Sequence, residues 1–160
     1  MGKKAAGLAA ICLVVIVTMA WQQVGQSAPA LTALDYAEIE QLYVRYAVAV
    51  DSMAKDGEML AGVFIEDNYE SVMELVDRLQ QRRAENGVAN GPFHYVTHPL
   101  LLPTAEGAIG VAYLLEFADD TFNRAIYYDT LVKTPGGWRF KDRTVSRDGF
   151  PDELLQVLEQ

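Results

Sequence analysis

The fold is decided by LTALDYAEIEQLYVRYAVAVDSMAKDGEML, residues 31–60, which predicts a helix that ends near a carboxylate. Apolar side chains recur here at the three-and-four spacing that places them on one side of a helix. They are Ile39, Leu42, Tyr43, Tyr46, Val50 and Met53. Thr32, followed three residues later by Asp35, fits a capping box and marks the start of the helix. We therefore expect the rest of the domain to pack on this helix.

A second, shorter apolar stripe lies beside the first and consists of Val44, Ala47 and Val48, leading to Asp51. An apolar surface this wide predicts a helix that packs on one element and also lines a cavity. Asp51 lies near the helix C-terminus, where exposed carbonyl groups disfavour an anion by about 0.3 to 1 kcal/mol. Asp51 therefore either opens the solvated turn DSMAKDG or has a functional partner.

The first thirty residues have the pattern of a secretory signal peptide. Two lysines precede an apolar run over residues 5–21, and Ala28-Pro29-Ala30 is an A-x-A site suited to signal peptidase. We predict a cleaved signal at residues 1–30, one domain at residues 31–160, and a periplasmic or secreted location. The alternative is an uncleaved membrane anchor, because a run of about 17 residues is at the lower limit for crossing a bilayer.

The composition of the mature chain restricts its chemistry and its partners. The single cysteine, Cys12, lies in the apolar run, so the mature sequence offers no disulfide, thiolate metal site or cysteine nucleophile. All 22 acidic residues and 11 of the 13 basic residues follow Ala30, and 11 minus 22 gives a net charge of −11. This charge disfavours nucleic acid and, after signal cleavage, anionic membranes as partners.

The pattern after the first helix predicts two more helices and then a sheet. The helices cover residues 58–65 and 70–85, and a short terminal helix is expected from Pro151. Four runs rich in β-branched and aromatic residues predict an antiparallel meander: residues 93–102, 108–117, 122–133 and 138–146. Helices followed by strands indicate an α+β fold in which helices cover one face of a curved sheet.

A tight turn at Pro135-Gly136 predicts which side chains of the last two strands face inward. The register pairs Leu131 with Phe140, Asp129 with Asp142, and Tyr127 with Thr144. The outer face then carries Arg139, Lys141 and Arg143. The inner face carries Tyr127, Asp129, Leu131, Trp138 and Phe140. A bulge between these strands would exchange the faces, because side chains alternate with a period of two.

Two histidines, His94 and His98, lie four residues apart in PFHYVTHPL, so on one continuous strand both project from the same face. Such a pair can bind a metal, but no acidic or histidine partner is clustered nearby in sequence, and we predict no metal site. The alternative for either residue is a hydrogen-bonded strand histidine. The sequence has no Walker, dinucleotide or G-x-S-x-G motif, which argues against nucleotide-binding and serine-hydrolase functions.

Three segments in order resemble the SnoaL-like branch of the NTF2-like superfamily. They are ALDYAEIEQLYVRYAVAVDS at residues 33–52, FHYVTHPLL at residues 93–101 and IYYDTLVKTPGGWRFKDRTVSRD at residues 126–148. The resemblance implies a cone-shaped α+β barrel, in which a bent antiparallel sheet and N-terminal helices enclose a deep apolar pocket, and frequently a homodimer. Members include polyketide cyclases, scytalone-dehydratase-like lyases, ketosteroid isomerases and noncatalytic binding domains.

The resemblance also implies roles for individual residues. In the dehydratase branch an aspartate at the end of the first helix faces a histidine on the first long strand, and Asp51 and His94 match these positions. Tyr46 is then a catalytic phenol, although it fits equally well as a core aromatic residue. The substrate-binding candidates are His98, Tyr127, Asp129 and Trp138.

The implied function is a lyase or isomerase that needs no cofactor. It acts on a small hydrophobic, oxygenated ring compound, such as a polyketide or steroid, through proton transfer by His94 and Asp51. The alternative is a noncatalytic module for ligand binding or dimerisation. One departure from the family lies at residues 64–74, FIEDNYESVME, where relatives have a longer connection that forms a hairpin over the pocket. We expect a wider pocket mouth, or one partly filled by Asn68 and Tyr69.

Overall fold

The computed structural model describes residues 28–85, 92–118, 121–150 and 155. Its helices are α1 (Ala33–Ser52), α2 (Glu58–Ala61) and α3 (Tyr69–Glu85), with 3-10 turns at Ala54–Gly57 and Glu66–Asn68. Its strands are β1 (Phe93–Val96), β2 (Leu100–Thr104), β3 (Gly107–Ala118), β4 (Thr121–Thr134) and β5 (Gly137–Ser146). The predicted α+β order is confirmed. The signal segment before residue 28 lies outside the described residues, and so does the terminal helix predicted from Pro151 except for Leu155, which is helical.

The five strands form one curled antiparallel sheet around the long strand β3. Its order is β1-β3-β4-β5, and β2 also pairs with β3. β1 pairs near the end of β3, where His94 lies opposite Glu116, and β2 pairs near its start, where Leu101 lies opposite Gly110. The helix α1 contacts both β1 and β5 and so closes the concave side of the sheet.

The start and the buried side of α1 are as predicted. Thr32 Oγ1 accepts a hydrogen bond from the Asp35 N–H at 3.2 Å, and Asp35 Oδ2 accepts one from the Thr32 N–H at 2.9 Å. The main stripe is buried, including Ile39, Leu42, Tyr43, Tyr46 and Val50. The second stripe does not line a cavity, because Val44 and Val48 are 54% and 52% exposed. That part of the prediction is wrong.

Phe140 lies at the centre of an aromatic core between α1 and the sheet. Its side chain is fully buried, and its ring centroid lies 5.2 Å from that of Tyr43 and 5.9 Å from that of Tyr46. The ring of Phe64, from the connection after α2, lies 5.5 Å away on another side. The contacts of Tyr43 and Tyr46 are edge-to-face and that of Phe64 is tilted, and such aromatic pairs add to the stabilisation that burial alone provides.

Phe140→Ala is expected to lower the free energy of unfolding by about 3 to 5 kcal/mol, because it leaves a cavity among packed rings. Leu42→Ala, at a fully buried position of α1, is expected to cost about 2 to 5 kcal/mol. Arg139→Ala is the control and should cost much less, since its side chain is only partly buried. Urea melts of the three variants measure the order, and a larger loss for Arg139→Ala than for Phe140→Ala would contradict this description of the core.

A bulge in β5 shifts its register with β4. Leu131 pairs with Phe140 as predicted, but Thr130 pairs with Asp142, so Lys141 is an extra residue without an opposite partner. Because one residue is inserted, the side chains that follow it point to the opposite face from that expected.

The bulge brings Arg143 into the interior. The next cross-strand pairs are Asp129 with Arg143 and Tyr127 with Val145, so the predicted pairs of Asp129 with Asp142 and Tyr127 with Thr144 are wrong. The side chain of Arg143 is only 5% exposed, which also contradicts its predicted place on the outer face. The predicted inner set is buried, namely Tyr127, Asp129, Leu131, Trp138 and Phe140.

The short connection between α2 and α3 holds the bulge from the open edge of β5. Ile65 N–H donates to the Phe140 carbonyl and Phe140 N–H donates to the Val63 carbonyl, both at 3.0 Å. The Asn68 side chain donates to the carbonyl of Lys141 itself. The connection therefore acts as a short extra strand segment at this edge. It pairs with backbone N–H and carbonyl groups that an edge strand would otherwise leave unpaired.

The run predicted as one strand at residues 93–102 is broken into β1 and β2. From Val96 to Leu100 the chain takes four steps, whereas their partners on β3, Leu114 and Val111, are three steps apart. The extra residue exchanges the two faces after the break. His98 lies in it with its side chain 89% exposed, so the prediction that both histidines project from one face is wrong.

The outer face of the sheet carries many exposed aromatic side chains. They include Phe93, Tyr95, Tyr113, Phe117 and Phe122, each between 47% and 66% exposed. A homodimer through this face remains a prediction. Among the described residues, the helices are too short or too polar to span a bilayer.

Candidate active site

Asp51 and His94 are in direct contact where the end of α1 meets β1. His94 Nδ1 lies 2.5 Å from Asp51 Oδ1. The His94 backbone N–H also donates to both carboxylate oxygens, at 3.1 and 3.3 Å. The two side chains are 10% and 20% exposed, respectively, for His94 and Asp51. Asp51 is therefore a held and largely shielded carboxylate and not a solvated turn residue.

The local fold also offsets the unfavourable position of this carboxylate at a helix C-terminus. The guanidinium of Arg83, from α3, donates to the carbonyls of Val50 at 2.9 Å and Asp51 at 3.3 Å. Met53, in the left-handed region with φ of 48°, closes the helix by donating its N–H to the Ala49 carbonyl. A cation at the last carbonyls compensates for the negative end of the helix dipole.

A second carboxylate, Glu116, faces the other ring nitrogen of His94. His94 Nε2 lies 3.5 Å from Glu116 Oε1. The β1–β3 register places these two residues directly opposite each other on the inner face. Arg147, just after β5, donates to Glu116 Oε2 at 2.7 Å and to Oε1 at 3.2 Å. The site is thus a row of four ionisable groups: Asp51, His94, Glu116 and Arg147.

Arg147 keeps Glu116 ionised. Its hydrogen bonds lower the pKa of the Glu116 carboxyl, burial opposes this, and the charges of Arg147 and His94 lower the pKa further. The same hydrogen bonds raise the pKa of Arg147. Because the folded pKa of Glu116 lies below its unfolded value, the contact stabilises the fold at neutral pH. This contribution is lost only as the pH falls through the folded value.

The imidazole ring of His94 therefore lies between two anions. A doubly protonated ring offers one N–H donor to Asp51 and one to Glu116, whereas a neutral ring turns a lone pair toward one of them. The arrangement can exchange a proton with a bound molecule through Nε2 while Asp51 holds Nδ1. Within the described ranges, no three His, Cys, Asp or Glu side chains group as metal ligands do.

Sequence reasoning did not identify Glu116 or Arg147. Both reach the site only through the pairing of distant strands and the register shift in β5. One signal was present, because Glu116 is the sole charged residue in the strand GAIGVAYLLEFA. It falls in the same alternating phase as the buried Ala112 and Leu114, and a carboxylate on a buried face needs a partner.

Three of the predicted site residues lie around the buried cation of Arg143. Arg143 Nε and Nη2 donate to the two oxygens of Asp129, at 2.7 and 2.8 Å, and Tyr43 donates to Asp129 as well. The guanidinium carbon lies 3.9 Å from the ring of Tyr46 and 4.0 Å from that of Tyr127. Burial raises the pKa of Asp129, an effect that Arg143 opposes, and burial also raises the pKa of Tyr127. Arg143 Nη1 is buried without a hydrogen-bond partner among the described residues.

This buried cluster is separate from the Asp51–His94 pair. Asp129 lies opposite Gly110 on β3, and Glu116 lies six residues farther along the same strand. Six strand residues span about 20 Å. Tyr46, Tyr127 and Asp129 occupy the packed core around Arg143, and Tyr127, opposite Ala112 on β3, also interacts electrostatically with Arg147.

The remaining two candidates also lie elsewhere. Trp138 Nε1 donates to Asp35 Oδ1 at 3.0 Å, beside Lys133, whose hydrogen bond lowers the pKa of the Asp35 carboxyl. Trp138 borders a surface groove of about 320 Å³ that residues of α1 line on the other side. His98 faces solvent, with Nδ1 3.3 Å from Glu40 Oε1. The predicted site residues that the structure brings together are therefore Asp51 and His94.

Several solved structures share this fold. A protein of unknown function with a cystatin-like fold from Nostoc punctiforme is 22% identical, with a TM-score of 0.60, covering 78% of this chain and 99% of that one. An NTF2-like protein from Novosphingobium aromaticivorans is 18% identical, with a TM-score of 0.59 and 99% of each chain covered. A protein provisionally assigned as a scytalone dehydratase, also from Novosphingobium aromaticivorans, is 17% identical, with a TM-score of 0.54. The match covers 74% of this chain and 90% of that one.

The sequence itself matches a family model. Residues 31–144 match the model described as SnoaL-like domain, which covers more than half of the chain. A search of curated proteins gave no match. The match spans α1, the strand that carries His94 and the hairpin that carries Asp129 and Arg143. This chain belongs to the SnoaL-like domain family and has its NTF2-like α+β fold.

Proposed function

We propose that this protein is an exported lyase or isomerase that moves a proton on a small hydrophobic, oxygenated ring compound and needs no cofactor. The contact of Asp51 with His94 carries the proposal. A carboxylate on one ring nitrogen fixes the orientation of the imidazole and leaves the other nitrogen to exchange protons. Membership of the family supports the same class of reaction, as does the likeness in fold to a protein provisionally assigned as a scytalone dehydratase.

The chemistry requires His94 to accept or donate a proton at Nε2 beside a carbonyl or hydroxyl group of the substrate. Proton transfer by a positioned histidine accelerates such steps by a factor of about 100 to 10,000. The resting ring is mostly shielded from solvent, which strengthens its interaction with Asp51. Tyr46, predicted as the phenol that stabilises an enolate, packs instead against the Arg143 guanidinium, and we do not assign it that role.

Deuterium exchange tests this proposal without knowledge of the natural substrate. The purified protein is incubated in D₂O with ring ketones, for example 2-tetralone and a 3-oxo steroid, and mass spectrometry follows exchange next to the carbonyl. We expect exchange above the buffer rate with the wild type and its loss in His94→Ala. Exchange that His94→Ala leaves unchanged would overturn the assignment of His94.

The alternative is a noncatalytic binding module, and one observation favours it. The polar groups of Asp129 and Trp138 are engaged by other side chains of the protein, and both ring nitrogens of His94 face carboxylates. Such a site can hold a ligand without turning it over. Native mass spectrometry that finds a bound apolar molecule in both wild type and His94→Ala, together with no exchange activity, would support this alternative.

Export is part of the proposal and rests on the sequence of residues 1–30. We expect cleavage after Ala30, because the lysines, the apolar run and the A-P-A site are those of a signal peptide. N-terminal sequencing of protein recovered from the periplasm or medium is the measurement. A chain in the membrane fraction that still begins at Met1 or Gly2 would favour the uncleaved anchor.

A further inference from the structure

Glu116 and His94 present two reactive atoms side by side. The distance of 3.5 Å between His94 Nε2 and Glu116 Oε1 exceeds a normal hydrogen bond, so neither atom saturates the other. Oε1 is also the less engaged oxygen of Glu116, because Arg147 binds Oε2 at 2.7 Å and Oε1 at 3.2 Å. Both atoms therefore keep hydrogen-bonding capacity that a molecule bound beside them would use.

The charges around this pair favour opposite roles for the two groups. Asp51 and Glu116 face the ring of His94 from α1 and β3, and Arg147 faces Glu116 from the end of β5. Arg83, from α3, binds backbone carbonyls at Val50 and Asp51 and does not touch the ring. A doubly protonated imidazole directs one N–H toward each of these two carboxylates, and the guanidinium of Arg147 favours an ionised Glu116. The site then holds an acid and a base together.

We propose that Glu116 is the catalytic base of the site, that His94 is its acid, and that Arg147 positions Glu116. This inference rests on the proposed proton-transfer function and assigns its roles. Glu116 Oε1 takes the proton from the substrate carbon as the C–H bond breaks. His94 Nε2 gives its proton to the substrate oxygen, which leaves as water in a lyase or becomes an enol hydroxyl in an isomerase.

The cycle then closes without any other reactant. In the lyase case protonated Glu116 lies beside neutral His94 and returns the proton to Nε2, which restores the starting charges. In the lyase case the substrate has lost one water molecule. In the isomerase case protonated Glu116 gives its proton to another carbon of the enol, and the enol hydroxyl returns its proton to His94 Nε2, which restores the same charges.

Glu116→Gln is the decisive variant, because the glutamine side chain has the same shape and still offers one oxygen as a hydrogen-bond acceptor, but it cannot act as the base. We expect the rate of deuterium incorporation into 2-tetralone to fall by a factor of about 100 to 10,000. The matched control is Glu106→Gln, at a carboxylate that is 82% exposed on the β2–β3 turn, which should leave exchange unchanged. Wild-type exchange in Glu116→Gln, with loss in His94→Ala, would show that His94 is the base and would overturn the inference.

A spectroscopic readout separates this inference from the proposed function. Nitrogen-15 NMR at neutral pH should show two protonated ring nitrogens for His94 in the wild type and one in Glu116→Gln. A wild-type ring with a single proton overturns the acid role, even where exchange activity is present. Two ring protons with no exchange on any ketone would leave the charge arrangement intact and overturn both the reaction and the catalytic role of Glu116.

The positioning role of Arg147 has its own signature in the pH profile. Arg147→Gln removes the main cause of the lowered pKa of Glu116, so this pKa should rise. The acidic limb of the exchange rate, where Glu116 becomes protonated, should then move to higher pH. Arg147→Lys should restore part of the shift, because it keeps the charge but not the paired hydrogen bonds. An unmoved limb in Arg147→Gln would overturn the positioning role.

Discussion

Arg143→Ala is expected to lower the free energy of unfolding by about 3 to 5 kcal/mol, because it leaves a fully buried carboxylate without its cation. Asp129 is 0% exposed and accepts two hydrogen bonds from Arg143. The substitution also removes the guanidinium that lies against four aromatic rings, those of Tyr43, Tyr46, Tyr127 and Phe140. Urea melts of wild type and variant give the difference in free energy.

Two further variants test whether the loss comes from the broken pair. Arg124→Ala, at an exposed position of the same sheet on β4, should cost much less. Replacing both partners with leucine should cost less than Arg143→Ala alone, because no buried charge is then left unpaired. If Arg143→Ala were no more damaging than Arg124→Ala, the buried ion pair would not contribute to stability as we describe.

His94→Ala is expected to reduce the rate of proton exchange by a factor of about 100 to 10,000, which is the usual contribution of a positioned proton-transfer group. Asp51→Asn should keep the fold but impair the rate, because the amide no longer holds Nδ1–H as a carboxylate does. When two residues act as one unit, removing either one already removes most of their joint contribution to the rate. The double variant should therefore be little slower than His94→Ala alone.

The matched control for this series is His98→Ala. His98 is the only other histidine of the sequence, and its side chain is 89% exposed beside Glu40. It should retain the wild-type rate. A double variant of Asp51 and His94 whose loss equals the product of the two single losses would show that these residues act independently. Circular dichroism of each variant separates loss of activity from loss of fold.

The parts of the fold that follow from short-range signals were predictable. The capping box of Thr32 and Asp35 and the buried side of α1 depend on residues within a few turns of each other. The inner face of the hairpin was predictable as far as Phe140, since the turn at Pro135-Gly136 sets the register from there. Beyond Phe140 the prediction was wrong, because the bulge at Lys141 is held by residues 63–68 on a separate connection.

The site was predictable only where family resemblance supplied the missing contact. Asp51 and His94 lie far apart in sequence, and no local pattern relates them. Glu116 and Arg147 required the register of β1 with β3 and the shifted phase of β5, which only the folded sheet defines. His98 was misplaced because the spacing argument assumed a continuous strand, whereas the chain inserts an extra residue between Val96 and Leu100.

Because of the bulge at Lys141, the faces on which Arg143 and Arg147 lie depend on the number of residues in this part of the chain. Beyond the bulge Arg143 and Arg147 are four residues apart and so fall in the same alternating phase, in which they reach Asp129 and Glu116 respectively. A substitution in this stretch changes one side chain at a time. Loss of a single codon between Phe140 and Arg143 would instead turn both arginines away from Asp129 and Glu116. Homologues that gain or lose one residue here must therefore replace the core ion pair and the carboxylate contact together, so the two should be inherited as a unit.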